Sequence, residues 1–181
     1  MTRAEVLAGS SDLAKDVEAV RIEILQSPRG SKSVLAEVAK MRARIAISKP
    51  PESIWDPKIG GGRMQDIELF AQTGALLGGA NARETEKGLL ACVAVGLIDG
   101  ADRQVLQSSY DMCWTLQLAS RLLSQGVLRP AEIGDGAMSF ICRAMGYEDL
   151  ITLEMALTEH FQAAQTVIDK VVGTGEVGES E

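Results

Sequence analysis

The chain has 181 residues, of which 46% are hydrophobic and 24% are charged, as in ordinary globular proteins. Its 18 Lys and Arg residues are outnumbered by 25 Asp and Glu residues, which gives a net charge of −7 and argues against nucleic acid or an anionic membrane as a partner. No apolar run approaches the roughly 20 residues of a membrane span, and the N-terminus lacks the apolar core of an export signal. We therefore expect a cytoplasmic protein.

Two helices with apolar stripes are predicted before residue 50. The first is capped by Ser10 or Ser11 and is ended by Pro28 and Gly30. A second helix follows and is stopped by Pro50. The residues predicted to be buried recur at helical spacing, and they are Leu13, Val17, Val20 and Ile24 in the first helix and Val34, Val38, Met41 and Ile45 in the second.

An irregular segment, residues 49–63, precedes the third and fourth helices. The third helix starts near Met64 and is ended by Gly78 and the glycine after it. Asn81 followed by Glu84 has the spacing of a capping box, which predicts that the fourth helix starts there.

Three more helices complete the predicted fold. The fifth covers about 99–124 and is the longest, at roughly 39 Å. A short helix covers about 135–145 and the last covers about 149–172. No alternating β-branched run predicts a strand. We therefore predict an all-α bundle of about seven helices with one long central helix over residues 1–172, followed by a disordered polar tail at 173–181.

The residues that most often carry chemistry are sparse. Cys92, Cys113 and Cys142 are widely spaced, and His160 is the single histidine, so the ligand spacing of a zinc site is missing. We interpret the cysteines as buried apolar residues. His160 lies in the middle of a helix without a nearby nucleophile and is interpreted as a surface or rim residue.

Two motifs resemble nucleotide-binding signatures. The glycine run 60–62 opens a helix, so it is either an anion-binding turn that presents free N–H groups or a structural turn. Gly9 and Ser10 with Asp16 and Glu18 imitate a nucleotidyltransferase signature. Two carboxylates at this spacing share a metal only on a strand, whereas on a helix they diverge, and we reject this site.

Lys58, Asp66, Glu68 and Gln72 form the densest polar cluster of the chain. Asp66 lies in the first turn of the third helix, where a carboxylate is favoured by the helix dipole. Glu68 and Gln72 are four residues apart and project from one helix face. Lys58 comes from the preceding segment and is expected to reach back toward the acids. The cluster is either a loop-to-helix clamp or a functional surface.

The segment from Trp55 to Gln72 reads WDPKIGGGRMQDIELFAQ. It resembles a signature of the glutamine synthetase adenylyltransferases, in which a lysine precedes a Gly-Gly pair, then Asp-Ile-Glu, two apolar residues and a glutamine. Residues 2–9, 20–29 and 37–42 are similar to the segment that follows the family's catalytic domain. Residues 144–147 and the final helix are similar to the family's C-terminal end.

The resemblance implies a helical domain from the adenylylating, C-terminal half of a much longer enzyme with two related halves. One half of such an enzyme transfers AMP from ATP to a tyrosine of glutamine synthetase, and the other half removes it by phosphorolysis. The PII regulator and glutamine set the balance.

The resemblance further implies Mg²⁺ and ATP for the full-length enzyme, and no cofactor or metal for this chain, because the metal-holding carboxylates belong to the preceding domain. We therefore expect the chain alone not to catalyse. The alternative is a free-standing helical protein-interaction module that lacks the catalytic domain.

Five residues match the family motif position by position and are predicted to form the surface that meets the nucleotidyltransferase domain and presents glutamine synthetase: Lys58, Gly62, Asp66, Glu68 and Gln72. Two departures are visible. Arg63 stands where the family has its second glycine, and a side chain there is expected to block close backbone approach or to demand a different φ. The charges that the family carries after Tyr110 are replaced here, which weakens any partner surface on that helix.

Overall fold

A computed structural model describes residues 2–173 of the chain. Over these residues the protein has seven α-helices, one 3₁₀ turn and no β-strand, which confirms the predicted all-α bundle. The predicted tail lies outside the described residues, apart from Gly173. The helices, in chain order, are α1 Ser11–Gln26, α2 Ser31–Ser48, α3 Met64–Leu77, α4 Thr85–Ala94, α5 Gly100–Arg121, α6 Asp135–Met145 and α7 Leu150–Val172, and the 3₁₀ turn is Pro130–Glu132.

Most helix ends lie where local sequence signals predict them. Helix α2 ends two residues before Pro50, because the proline ring excludes the helical conformation just ahead of it. Glycines with positive φ follow α3, α4 and α6: Gly79 at 58°, Gly96 at 74° and Gly146 at 82°. This left-handed conformation is accessible to glycine at little cost, so these glycines stop their helices as predicted.

Three predicted details are wrong. Helix α4 begins at Thr85 rather than at Asn81, and the side chain of the N-cap residue Glu84 makes no capping hydrogen bond. The side-chain oxygen of Asn81 instead accepts a hydrogen bond from Arg21 of α1. Helix α5 ends at Arg121, short of residue 124, because the chain turns there through 3₁₀-type bonds. Helix α7, with 23 residues, is one residue longer than α5.

The six helices from α2 to α7 all contribute to the core. Helices α3 and α5 each pack against four other helices. Helix α7 turns one apolar face toward this core, largely as its spacing predicts. Burial of each such large side chain stabilises the fold by about 1.5–3 kcal/mol. The large apolar side chains that are fully buried here are Ile67, Phe70, Leu89, Leu106, Leu116, Leu128, Ile141, Leu153, Leu157 and Ile168.

Helix α1 departs from the prediction most clearly. Its apolar stripe is exposed to solvent, with Leu13 at 62%, Val17 at 42% and Val20 at 52% exposed. The helix buries Arg21 and Leu25 instead, and no residue of α1 belongs to the main core. Periodicity identifies the apolar side of a helix, but it does not show whether a neighbour covers that side.

None of the helices within residues 2–173 combines the length and apolarity that crossing a membrane requires. All three cysteines are buried and unpaired, as interpreted from the sequence. Burial raises the pKa of the Cys92 and Cys113 thiols to about 12, and it also raises the pKa of Cys142.

We expect the thiols of the folded protein to be unreactive toward the disulfide reagent DTNB at pH 8. The thiolate is the reactive form, and burial disfavours it while blocking access. Absorbance should report three thiols only after unfolding in guanidinium chloride. Rapid labelling of Cys92 or Cys113 in the folded state, located by mass spectrometry, would contradict this burial.

Candidate functional site

The irregular segment 49–63 is folded back on itself and fastened to α7. The buried carboxylate of Asp56 accepts hydrogen bonds from the backbone N–H groups of Lys58 and Ile59, at 2.9 and 3.0 Å. Trp55 is buried, and its indole Nε1 donates to Oε1 of Glu154 on α7 at 3.0 Å. A short-range turn and a long-range contact with α7 therefore both help to fix the segment.

The start of α3 is satisfied from within the chain. The N–H of Met64 donates to the carbonyl oxygen of Pro57 at 3.2 Å, and the N–H of Gly62 donates to Oδ2 of Asp66 at 2.9 Å. The N–H of Gln65 likewise donates to the carbonyl oxygen of Lys58 at 3.1 Å. The N–H groups of Met64 and Gln65 are among the donors that a helix N-terminus offers to an anion. Because both are already used, the geometry favours a structural turn over an anion-binding turn at 60–62.

Gly62 lies where three helices meet. Its carbonyl oxygen accepts a hydrogen bond from Oγ of Ser109 on α5 at 2.8 Å. Its φ is 66°, and a Cβ added there would overlap the carbonyl oxygen of Phe161 and lie 2.6 Å from the backbone nitrogen of Gln165, both on α7. A glycine is therefore required for α7 to approach the loop this closely.

Asp66 joins α3 to α2, and Arg42 of α2 extends this connection to α7. Arg42 of α2 binds both carboxylate oxygens of Asp66, at 2.7 and 3.0 Å. The same guanidinium reaches Oδ1 of Asp169 on α7 at 2.8 Å. The side chains of Arg42 and Asp66 are only 12% and 9% exposed, so this ion pair is poorly screened by solvent. We call Arg42, Asp66 and Asp169 the clamp.

A cleft of about 300 Å³ opens beside the clamp, between α2, the loop, α3 and α7. Its wall includes Gly60, Gly61 and Gln65 together with the clamp residues. The side-chain oxygen of Gln65 is buried without a hydrogen-bond partner among the described residues. The charged side chains in the wall of the cleft are Arg42, Lys49, Asp66 and Asp169, so its two positive and two negative charges balance.

Glu68 and Gln72 lie on a different side of α3 from Asp66 and hold the N-terminal segment, residues 2–4. Glu68 pairs with Arg3 at 2.9 Å and accepts a hydrogen bond from the Tyr110 hydroxyl at 3.0 Å. The Oε1 atom of Gln72 accepts from the Thr2 hydroxyl at 3.0 Å. These two residues share one helix face, as their spacing predicts.

A second network fastens the same segment to α1 and to the loop before α4. The buried Arg21 binds Glu18 at 2.8 Å and donates to the carbonyl oxygen of Thr2 at 3.2 Å. Arg83 binds Glu18 at 2.7 Å and donates to the carbonyl oxygen of Ala4 at 2.9 Å. The hydrogen bond from Arg21 is the main cause of the lowered pKa of Glu18.

The five motif residues therefore do not form one continuous surface. Gly62 and Asp66 close the loop, whereas Glu68 and Gln72 hold the N-terminal segment. Lys58 is exposed, and no carboxylate within residues 2–173 lies at ion-pair distance from its ammonium group, so the prediction that it reaches back to the acids is wrong.

The sequence interpretation missed the arginines that occupy these carboxylates: Arg3, Arg21, Arg42 and Arg83. Arg3, Arg42 and Arg83 come from distant parts of the chain and have no local signal, whereas Arg21 lies three residues after Glu18, a spacing at which helical side chains meet. The separation of the motif was visible, however, because Asp66 and Glu68 are two residues apart and diverge by about 200° on a helix.

Arg63 does not carry the strain expected of a side chain at that position. Its φ is −98°, an ordinary extended conformation. The buried guanidinium donates to the carbonyl oxygens of Ser53 at 2.7 Å and Asp56 at 2.6 Å, and it lies 4.7 Å from the ring centre of Phe161. The arginine thus fills the loop from inside, in a role that no glycine supplies.

Replacing Arg63 by glycine is expected to lower the free energy of unfolding by about 2 kcal/mol. The change leaves two carbonyl oxygens without their charged donor and removes the cation–π contact. Arg63 is the N-cap residue of α3, where glycine itself costs only a few tenths of a kcal/mol, so the loss reports on the side chain. Urea unfolding measures it, and Arg63→Lys serves as the charge-conserving comparison.

The described residues do not form a magnesium site of the kind that the resemblance implies for a full-length enzyme. No group of three or more His, Cys, Asp or Glu side chains within residues 2–173 is arranged to hold a metal ion. Asp16 and Glu18 lie on helix α1 and not on a strand, as predicted, and Glu18 is already held by two arginines. Asp66 and Glu68 are likewise occupied by arginines.

The fold is all-α, and residues of its polar motif close the loop before α3 and hold the N-terminal segment. No protein-family model matches the chain. It does match part of much longer bacterial enzymes, each named bifunctional glutamine synthetase adenylyltransferase/adenylyl-removing enzyme. The relative from Rhizobium meliloti is 29% identical over 178 residues, and that from Mesorhizobium japonicum is also 29% identical over 178. The relative from Agrobacterium fabrum is 28% identical over 181 residues.

These alignments cover 95% of this chain for the first relative and 97% for the other two, so the similarity is not confined to the motif. The chain spans 18% of the length of the curated relatives that it matches. The resemblance found in the sequence is therefore confirmed, as a match to one helical segment of a glutamine synthetase adenylyltransferase.

Proposed function

We propose that this chain is a helical support domain of a glutamine synthetase adenylyltransferase. In this role it positions a nucleotidyltransferase domain and glutamine synthetase for AMP transfer from ATP to a tyrosine, in the cytoplasm, and it supplies no catalytic residue itself. The nucleotidyltransferase domain and glutamine synthetase are its direct partners, and the PII regulator acts on the same assembly. Magnesium and ATP belong to the partner domain.

The observation that carries this proposal is that most of the motif residues make their contacts within the fold. Four of the five motif residues are engaged inside the fold, where they tie α2, α3, α7 and the N-terminal segment together. A carboxylate that is paired with an arginine and accepts a further hydrogen bond is suited to rigid positioning rather than to proton transfer or metal binding. The proposed reaction, AMP transfer, is supported by the names of the enzymes that match nearly the whole chain.

A chimeric enzyme tests this proposal. In the Rhizobium meliloti relative, this chain replaces the matching 178 residues, and AMP incorporation into glutamine synthetase is measured with ATP and Mg²⁺. We expect the chimera to transfer AMP, and we expect a relative from which the segment is deleted to be inactive. A chimera as inactive as the deletion would remove support for the proposal.

The alternative, a free-standing protein-interaction module, is favoured by one observation. Near its C-terminal end, helix α5 exposes Trp114 and Leu118, and its C-cap residue Leu122 continues this apolar stripe at the same four-residue spacing. Exposed aromatic residues flanked by aliphatic ones are typical of binding surfaces. The size of the native protein in extracts of the source cells separates the two functions. A band at 19.3 kDa supports the module, and a band far above it supports a domain of a longer enzyme.

A further inference from the structure

Helix α1 carries an apolar face that nothing in the described protein covers. The face comprises Leu13, Val17, Val20 and Ile24, and we call it the α1 face. At about 100° per residue these four positions fall within about 60° of the helix circumference. Their side chains form a narrow continuous stripe about three turns long, of which the first three residues are exposed.

The helix that carries this face is weakly supported. A helix of 16 residues is marginal in water by itself, and helices of this length depend on packing an apolar side. Helix α1 contributes nothing to the main core, and it is held chiefly by Leu25 and by the polar bonds of Arg21 and Glu18. Its apolar side lies next to this buried edge, so a partner could cover the stripe without displacing the existing contacts.

The position of the N-terminal segment indicates what covers the face. The carbonyl oxygen of Thr2 is bound to Arg21 of α1, and the Thr2 hydroxyl is bound to Gln72. Any polypeptide that precedes Thr2 would therefore lie beside α1. The chain spans only 18% of its relatives, which leaves them ample polypeptide to occupy this place.

Charge argues against a second copy of the chain as the occupant. The solvent-side edge of the α1 face is lined by three exposed acids, Asp12, Asp16 and Glu23. Two such faces packed together would bring like charges into proximity, and the whole chain carries a net charge of −7. A partner with an apolar patch and a basic rim fits this surface instead.

We infer that the α1 face is the docking surface for the nucleotidyltransferase domain, which the sequence resemblance places ahead of this segment, and that this domain presents an apolar patch with a basic rim. The inference rests on the proposed function and assigns its interdomain contact. The contact lies away from the clamp, so Glu68 and Gln72 act by holding the N-terminal segment that lies against α1, rather than by meeting the partner themselves.

Hydrogen exchange tests the inference. The amides of α1 are followed by mass spectrometry in this chain alone and in the chimera with the Rhizobium meliloti relative. We expect exchange in α1 to slow at least tenfold in the chimera. The double variant Leu13→Gln/Val20→Gln should abolish that slowing, because it removes apolar contact while keeping good helix formers. The matched control is Ile47→Gln on α2, an exposed apolar residue outside the face, which should leave the slowing intact.

The outcomes separate the two proposals. An active chimera in which α1 exchanges as fast as in the chain alone overturns this inference and leaves the proposed function standing. An inactive chimera without slowing overturns both. Slowing in an inactive chimera, lost in the double variant, supports the contact while counting against the proposed function. Slowing in the chain alone that grows with its concentration assigns the face to a second copy and overturns the inference.

Discussion

Replacing Gly62 by alanine is expected to lower the free energy of unfolding by about 4 kcal/mol and Tm by about 8–16 °C. The φ of 66° costs a residue with a Cβ about 1–2 kcal/mol. The added carbon would also meet the backbone of Phe161 and Gln165, and a helix backbone cannot rotate away as a side chain does. Helix α7 would have to move outward, which weakens the contacts of the loop with it.

Thermal unfolding followed by circular dichroism measures this effect. Gly136→Ala is the matched control, because Gly136 lies in α6 with an ordinary φ and with nothing within 4 Å of an added Cβ. We expect that control to be neutral or stabilising by about 0.5–1 kcal/mol, from helix propensity and reduced entropy of the unfolded chain. Equal Tm values for the two variants would show that α7 does not press on the loop.

Replacing Asp66 by asparagine is expected to cost about 3 kcal/mol of folding free energy. Asparagine has nearly the same shape, so the change removes charge rather than volume. It leaves the buried guanidinium of Arg42 with Asp169 as its remaining anion, and breaking one partner of a buried ion pair is far more costly than losing an exposed one. Asparagine also offers a weaker acceptor to the N–H of Gly62.

Urea denaturation measures this loss, with Asp12→Asn, an exposed carboxylate, as the control that should stay within about 0.5 kcal/mol of the wild type. The double variant Arg42→Met/Asp66→Asn should lose less than the sum of the two single variants, because it removes both charges of the less exposed pair and leaves only the carboxylate of Asp169, which is 23% exposed. If the single losses simply add, Arg42 and Asp66 are not coupled and the clamp is not a unit.

The local parts of the fold were predictable because they depend on neighbouring residues. Prolines and glycines stop helices through their own backbone, so the ends of α2 and α6 follow from Pro50 and Gly146 alone. Asn81 shows the limit of this reasoning. Its capping-box spacing is a local signal. The side-chain oxygen of Asn81 nevertheless accepts a hydrogen bond from Arg21, 60 residues away, and α4 starts at Thr85.

The candidate site likewise has a part that local sequence predicts and a part that depends on contacts between distant residues. The sequence identified the polar residues of the motif and placed Glu68 and Gln72 on one face, since both statements need only helix geometry. It could not show that Asp66 would be held by Arg42, or Glu68 by Arg3, because those arginines become neighbours only when distant helices pack. The exposed stripe of α1 has the same cause, since its pattern is identical to that of a buried helix.

The bonds between the loop and α7 also have a consequence for synthesis of the chain. Trp55 binds a residue 99 positions later, and Arg42 binds one 127 positions later. At about 5–20 residues per second, a ribosome needs roughly 5–20 s to add the hundred residues that separate them. Until the last helix has emerged, the indole of Trp55 lacks Glu154 and Arg42 has only Asp66 as its anion, so the motif acquires its final geometry only at the end of synthesis.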